Sequence, residues 1–451
     1  MTGNHEQSFQ RKIGCERAML MLPFNVVLAA RIRGEVQPAS VQSALEKLRV
    51  RHPLLGVRVQ MEPNDSATFV GDNVPAVAVN VDERQDDRQW LTRVQRELRT
   101  SFDLSRGPLV RCALLQSAQE SDIILCAHHA ICDGMSLGYL LRDLLTLVAA
   151  SEQVVGEQLM PPAVDPSNVP TPPKSNWLMR LIMNTINRTW AAKGIRFSDT
   201  DVQRMHERFW QSNGTPEVLA WNLERDLTAR LVQRCREEKV TVNSVLWTAF
   251  LAAQNEVLAG RTAYRDRCAM AVNTRDKLRS SAGETFGFFA SSLTVKPGFS
   301  PEKPFWDSTR SVHAAINREL KKTDLFRMLV SDMIHPTLLD SLYFQKYGII
   351  DESIPAKFLR KMGWDKITFG FALTNVGRFG IPTTYGSLRI EEVYGPLFYS
   401  DVEEQMVGVI TVNGRLTFLM AVNRSIGNSA EKLRESVVKT LHNSVVQGTD
   451  Q

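Results

Sequence analysis

The chain has 451 residues, of which 43% are hydrophobic and 23% are charged, and its formal net charge is +5. This composition is typical of a folded globular protein and argues against intrinsic disorder. The length exceeds one ordinary hydrophobic core and predicts two domains. The positive charge is too weak to indicate nucleic acid as a partner, but it suits an anionic cofactor or an acidic carrier protein.

The cysteines and the N-terminus indicate the compartment. The six cysteines form no CxxC pair and several lie in apolar runs, which favours free thiols in a reducing compartment and no metal site. The first twelve residues are polar, and Pro23 and Asn25 interrupt the apolar run at 18–30, which is too short to span a membrane. We therefore expect a cytoplasmic monomer without a transmembrane segment.

Apolar periodicity predicts a mixed α/β chain in two comparable halves. The predicted strands cover residues 26–32, 109–116, about 121–127, 269–272, 367–373, 407–412 and 416–421. The predicted helices cover residues 39–51, 90–98, 135–149, about 240–251 and 429–446.

A proline-rich segment at 161–173 separates the two halves and predicts a linker. We therefore expect an N-terminal domain over 1–160, a linker with an amphipathic helix over 161–215, and a C-terminal domain over 216–451.

The most informative segment lies where the strand ending near residue 127 meets the helix at 135–149. His128 and His129 follow the strand, and Asp133 and Gly134 precede the helix. Histidine is the side chain most readily used as a proton acceptor near neutral pH. Asp133 is close enough in sequence to hold the loop that carries the imidazole. The pattern predicts a general base with no nucleophile of its own.

Three further segments accompany the histidines in chain order: residues 102–109, residues 271–275 with the following 286–289, and residues 374–378. Together with the doubled histidine they resemble the condensation-domain and acyl-CoA-dependent acyltransferase superfamily. The pattern is most similar to its condensation, alcohol acetyltransferase and mycobacterial dimycocerosyl transferase branches. The Asp-Phe-Gly-Trp-Gly segment of the plant enzymes is absent, and residues 374–378 stand in its place.

The resemblance implies two similar chloramphenicol-acetyltransferase-like α/β sandwich domains with an active-site tunnel between them. It also implies direct acyl transfer from a thioester to a hydroxyl or amine. The donor would be acyl-CoA or an acyl carrier protein, used as a co-substrate, with no permanently bound cofactor. The implied acceptor is a small alcohol or amine, and lipophilic alcohols and amines are among the candidates.

The resemblance also assigns roles to residues. His129 matches the base, beside His128, and Asp133 matches a structural aspartate that pairs with an arginine, which by position is Arg275. Gly134 would let a main-chain N–H approach the developing oxyanion. Asn375 is a further candidate donor to that oxyanion.

Simpler interpretations stand beside these roles. Taken alone, Asp133 is typical of a helix N-cap. In the same way, Arg275 is explained as a solvated surface residue, and Asn375 as a residue that forms a turn. Residues 134–138 also satisfy the Gly-x-Ser-x-Gly pattern of serine hydrolases, with Ser136 as the nucleophile. In such hydrolases the serine lies on a nucleophile elbow, a tight turn between a strand and a helix, whereas Ser136 falls inside the predicted helix.

Residues 177–190 place Trp177, Leu181 and Trp190, with other apolar side chains, on one helical face. The simple interpretation is a linker helix packed on a domain. The alternative is a lid or a weak membrane-surface contact that admits a lipophilic substrate.

The sequence thus predicts an acyltransferase that forms an ester from an acyl thioester without an acyl-enzyme. The alternatives are an amide-forming stand-alone condensation enzyme, a serine hydrolase using Ser136, and a catalytically silent binding module.

Overall fold

The computed structural model describes residues 9–150, 152, 156–173, 177–258 and 265–446. Its strands are β1 Gln10–Lys12, β2 Asn25–Arg33, β3 Arg58–Met61, β4 Ala67–Val70, β5 Val79–Glu83, β6 Val110–Gln116, β7 Glu120–His128, β8 Glu217–Leu223, β9 Cys268–Asn273, β10 Ala290–Val295, β11 Phe371–Arg378, β12 Thr384–Tyr385, β13 Leu388–Leu397, β14 Gln405–Val412 and β15 Arg415–Val422.

The helices are interspersed among these strands, in agreement with the predicted mixed α/β chain. They are α1 Arg17–Leu20, α2 Pro38–Arg51, α3 Gln89–Arg99, α4 Gly134–Ala149, α5 Trp177–Ala191, α6 Asp199–Asn213, α7 Arg225–Glu237, α8 Val242–Val257, α9 Phe305–Lys322, α10 Pro336–Lys346, α11 Ser353–Met362 and α12 Ala430–Val446.

The first large sheet has the strand order β12-β13-β2-β7-β6-β5. Its central strands β2 and β7 are runs of aliphatic residues that are buried almost throughout, as expected for strands covered on both faces. They pair antiparallel in a register that sets Asn25 opposite His128. The histidine pair therefore begins where this pairing ends.

The second large sheet has the order β10-β9-β11-β14-β15-β8. Helices α7, α8 and α12 supply apolar side chains to the core on one of its faces. The main core contains side chains of both sheets, among them Leu125 of β7 in the first and Ile410 and Leu419 of β14 and β15 in the second. The two-sheet α/β fold that the resemblance implies is thus confirmed.

The two sheets do not divide the chain cleanly. Strands β12 and β13 belong to the second half of the sequence, yet β13 pairs with β2 of the first sheet. The expected C-terminal domain over 216–451 therefore contributes a strand pair to the other sheet. Because β14 returns to the second sheet directly afterwards, the segment between β13 and β14 joins the two sheets.

Two sequence expectations need correction. The expected linker holds a second helix, α6, which begins at a capping box formed by Ser198 and Asp201. The strand expected at 367–373 lies later, at Phe371–Arg378, and so contains Asn375.

All six cysteines are buried and none forms a disulfide. Among the residues that the structure describes, no helix is long and apolar enough to cross a membrane.

Candidate active site

The histidine pair lies at the junction of β7 and α4. His128 is the last residue of β7, and α4 begins at Gly134. Asp133 is the N-cap of α4, where its carboxylate accepts the Ser136 backbone N–H at 2.8 Å and completes a capping box with the Ser136 hydroxyl. This cap satisfies backbone donors that have no partner within the helix and ends the loop at a defined residue.

His129 is held in one tautomer by its loop. Its backbone N–H donates to the Phe24 carbonyl oxygen at 2.8 Å, and its Nδ1 lies 2.9 Å from the Cys132 carbonyl oxygen. Because a carbonyl oxygen only accepts, Nδ1 carries the proton, and Nε2 of the neutral ring keeps its lone pair. The arrangement leaves Nε2 as a proton acceptor.

Aromatic rings enclose the His129 imidazole. The Phe288 ring meets it edge-on at 5.3 Å between centroids, and the Phe398 ring lies at 4.9 Å. Phe288 follows residues 286–287 of the second half, and Phe398 lies in the segment that joins β13 to β14. Burial in these apolar surroundings lowers the pKa of His129 below its ordinary value, so the ring is neutral near pH 7.

The neighbouring His128 has a different environment. Its Nε2 donates to the Leu22 carbonyl oxygen at 3.1 Å, and its Nδ1 accepts the Ala130 N–H at 3.2 Å. Burial lowers the pKa of His128 to about 3. Since both ring nitrogens are occupied in the interior, His128 supports the loop and offers no site for proton transfer.

The predicted ion pair between Asp133 and Arg275 is present. Arg275 Nη2 lies 2.7 Å from Asp133 Oδ1, and both side chains are almost fully buried. Asp133 Oδ2 accepts the Phe289 N–H at 3.1 Å, while Arg275 Nη1 donates to the Thr285 carbonyl oxygen at 2.6 Å. Both carboxylate oxygens are thus engaged, and the pair ties the histidine loop to the second half.

Ser136 completes this buried network. Its hydroxyl accepts from Arg275 Nη2 at 2.8 Å and from the Gly287 N–H at 3.1 Å. The same oxygen lies 2.9 Å from Asp133 Oδ1 and 2.8 Å from the Gly287 carbonyl oxygen, one of which receives its proton. Ser136 is fully buried in the first turn of α4, so the nucleophile-elbow interpretation is not supported.

Gly134 is required by close packing. A Cβ at this position would lie 2.2 Å from Pro396 Cγ, a distance that no side chain tolerates. On its other side, Pro396 approaches Gly408 so closely that a Cβ there would meet the Pro396 carbonyl oxygen at 2.0 Å. As the first residue of α4, Gly134 has an amide without an acceptor inside the helix, which is the property an oxyanion donor needs.

Asn375 is half-buried within β11, at an irregularity in its pairing with β14. Its Oδ1 accepts the Gly377 N–H at 2.8 Å. In the described part of the chain, no hydrogen bond joins the Asn375 side chain to the His129 loop, and its bond to Gly377 is local. The structure thus places Asn375 inside a strand, where its side chain makes an Asx-type bond to the backbone two residues on, at the irregularity of the strand.

Sequence reasoning missed the groups that surround the imidazole. Phe398 lies outside the motifs, and only the resemblance to a two-domain fold could have pointed to a segment that crosses between sheets. Phe288 lies in a segment that the sequence singled out, but without a role. The sequence pattern suggests Ser136 as a nucleophile and does not indicate its bonds to Arg275 and Gly287.

This fold and this loop define a class: a mixed α/β protein with two six-stranded sheets and a histidine where segments from both halves of the chain meet. Residues 23–165 match the family model described as Condensation domain. The chain fits the condensation-domain and acyltransferase superfamily, which confirms the family that its motifs predicted.

Individual comparisons agree with this family. The chain is 23% identical over 330 residues to chondramide synthase cmdD of Chondromyces crocatus, covering 71% of this chain and 8% of the synthase. It is 24% identical over 350 residues to phosphinothricin tripeptide synthetase PhsC of Streptomyces viridochromogenes, covering 74% of this chain and 31% of that protein. The chain therefore spans less than a third of either relative.

A similar solved structure is trichothecene 15-O-acetyltransferase TRI3 of Fusarium sporotrichioides. The TM-score is 0.67 at 13% sequence identity, covering 98% of this chain and 96% of that chain. At this identity the likeness concerns the fold.

Proposed function

We propose that the protein transfers an acyl group from a thioester to a hydroxyl acceptor, with His129 as general base and without an acyl-enzyme. The observation that carries the proposal is the hydrogen bond from His129 Nδ1 to the Cys132 carbonyl oxygen. It leaves a neutral imidazole with an unshared Nε2 lone pair, which is the state that a base needs before the reaction.

The proposed reaction has two steps. In the first, Nε2 takes the hydroxyl proton as the acceptor oxygen attacks the thioester carbonyl, and the carbonyl π electrons move onto oxygen. In the second, the tetrahedral intermediate collapses, the carbon–sulfur bond breaks, and the departing thiolate takes the proton from Nε2. An ester and a free thiol result, and the imidazole returns to its first state.

The Gly134 amide is our candidate for stabilising the oxyanion, because it begins a helix whose N-terminal end favours negative charge. Asp133 and Arg275 act as positioning residues, since both of their charged groups are engaged with each other and with the backbone. Asn375 remains a candidate donor through its side-chain NH₂.

The donor is acyl-CoA or an acyl group on a carrier protein, and the net positive charge suits either anionic partner. Amide formation is the second candidate. One relative is named phosphinothricin tripeptide synthetase, and a tripeptide contains amide bonds, which favours an amine acceptor. The name of TRI3 favours a hydroxyl acceptor.

One assay tests the function and separates the two products. Purified protein is given acyl-CoAs or acyl-carrier thioesters, with an alcohol panel and an amine panel, and free thiol release is followed while mass spectrometry identifies the product. We expect acceptor-dependent thiol release that falls by about 10²–10⁴ in His129→Ala. Equal rates in wild type and in folded His129→Ala would refute the proposal.

A further inference from the structure

Helix α5 is fastened to the protein by one side. Met183 and Trp190 are buried, and Trp190 Nε1 donates to Thr337 Oγ1 at 2.9 Å. Asn187 Nδ2 donates to the Met333 carbonyl oxygen at 2.8 Å. At about 100° per residue, the three α5 side chains share one side of the helix. The packed linker helix that the sequence predicts is therefore present in the second half of α5.

The expectation that Trp177, Leu181 and Trp190 share one apolar face is wrong, because Trp177 and Leu181 lie exposed on the side of α5 opposite the buried Trp190. Helix α5 therefore carries a second apolar stripe. Trp177 is 72% exposed, Leu178 52%, Leu181 53% and Ile182 49%. We call these four residues the α5 stripe. Single exposed apolar side chains are ordinary, but four large ones within six residues form a contiguous patch that marks an interaction site.

The basic side chains of α5 indicate what kind of surface the α5 stripe binds. Helix α5 contains Arg180 and Arg188, both exposed, and no acidic residue. By helical position, Arg180 lies at one border of the α5 stripe, and Arg188 lies in line with the stripe about two turns beyond Leu181. Long basic side chains at these positions can reach headgroups while the apolar ones enter the acyl region. This combination of tryptophan, aliphatic and basic side chains is complementary to an anionic phospholipid surface.

The dimensions agree with a helix that lies on the membrane. Helix α5 has 15 residues, and at about 1.5 Å per residue it is shorter than the roughly 30 Å hydrocarbon core. Its docked side also remains attached to the segment at Met333 and Thr337. The helix is therefore suited to lie in the interface plane and not to cross it.

We propose that the α5 stripe binds the surface of anionic phospholipid membranes while the protein stays folded above it. The binding is reversible and peripheral. This inference does not depend on the proposed reaction, since it rests on the exposure and charge of α5 alone.

Co-sedimentation with vesicles tests it without any activity measurement. Wild-type protein is mixed with vesicles of phosphatidylcholine alone or with added phosphatidylglycerol, at low and at high salt. We expect binding to the anionic vesicles that weakens with salt and is much lower on phosphatidylcholine alone. Leu181→Glu should lower the partition coefficient by about tenfold or more, because a side chain that enters the acyl region is lost.

The matched control is Val50→Glu. Val50 is 66% exposed on helix α2, so the change in charge and exposure is equivalent, but vesicle binding should stay within about twofold of wild type. Arg180→Gln with Arg188→Gln should remove most of the salt dependence. Circular dichroism and thermal melting establish that each variant is folded.

Three results would overturn the proposal. The first is no sedimentation of wild-type protein with anionic vesicles, and the second is equal vesicle binding by Leu181→Glu and Val50→Glu. The third is binding that does not depend on the charge of the lipid. Analytical ultracentrifugation identifies the competing occupant. If wild-type protein does not bind vesicles but forms a concentration-dependent dimer that Leu181→Glu dissociates, the α5 stripe binds a second copy of the chain.

Discussion

The Arg275 guanidinium and the Asp133 carboxylate lie 2.7 Å apart, although 142 positions separate them in the chain. The pair joins the N-cap of α4 in the first half to the segment after β9 in the second. Removal of one partner leaves an uncompensated charge in the interior, which is more costly than the pair itself is stabilising.

We therefore predict that Asp133→Ala or Arg275→Met lowers the free energy of unfolding by about 3–5 kcal/mol, measured by urea denaturation. The double variant should lose less than the sum of the two single losses, because the second change removes the stranded charge. Glu284→Gln is the control, since its pair with Arg142 also joins the two halves but is partly solvent-exposed, and it should cost less than about 1 kcal/mol. Additive losses would contradict the buried-pair account.

The pH profile of the reaction follows from the state of His129. Burial lowers its pKa below the ordinary value of about 6.5, and protonation would remove the Nε2 lone pair. We expect kcat/KM to fall as pH decreases through a limb that lies below about pH 6.5, and to be independent of pH from there to neutrality. A limb centred above that value would show that another group acts as the base.

Stability at acid pH should report on the buried histidines. Burial lowers the pKa of His128 to about 3 and of His206 to about 4, whereas an unfolded histidine titrates near 6.5. Below about pH 6.5 the unfolded state binds more protons, so the free energy of unfolding decreases as pH falls, and this stabilisation is fully present only above that pH.

Each of these histidines should contribute a slope of about 1.2 kcal/mol per pH unit between about pH 5 and 6, because the unfolded imidazole is mostly protonated there and the folded one is not. Urea denaturation of His206→Gln should show a slope smaller by that amount. His442→Gln, which changes an exposed imidazole on α12, should keep the wild-type slope. If His206→Gln keeps the wild-type slope, His206 is not one of the groups that destabilise the folded protein at acid pH.

The contact between Gly134 and Pro396 predicts an intolerant position. Gly134→Ala would place a methyl group 2.2 Å from Pro396 Cγ, so the chain must shift where β13 crosses the His129 loop. We expect a loss of about 1–3 kcal/mol in unfolding free energy, together with reduced thiol release. Gly380→Ala is the control, because open space surrounds that position and its stability should be unchanged. Similar melting of both variants would refute the packing argument.

Ser136 is expected to be structural. Ser136→Ala leaves the Gly287 N–H and one Arg275 donor without their buried acceptor, which should lower unfolding free energy by about 1–3 kcal/mol while acceptor-dependent thiol release persists. A fluorophosphonate probe should not label wild-type Ser136. Labelling at this residue, with loss of all activity in Ser136→Ala, would restore the hydrolase alternative.

Local patterns were sufficient for much of this protein. The apolar run before His128 predicted β7, the apolar periodicity of residues 135–149 predicted α4, and the position of Asp133 just before that helix predicted its cap. Each of these depends on residues that are neighbours in sequence. The pairing of Asp133 with Arg275 was also anticipated, but only through the family that the motifs resemble.

Only the tertiary structure decided what surrounds the imidazole. Phe288 and Phe398 reach His129 from the other half and from the crossing segment, and the Ser136 hydroxyl bonds to Gly287, 151 positions away. The pairing of β13 with β2 likewise joins distant segments. Periodicity describes which face of an element is apolar, whereas the choice of partner depends on how whole sheets and helices pack.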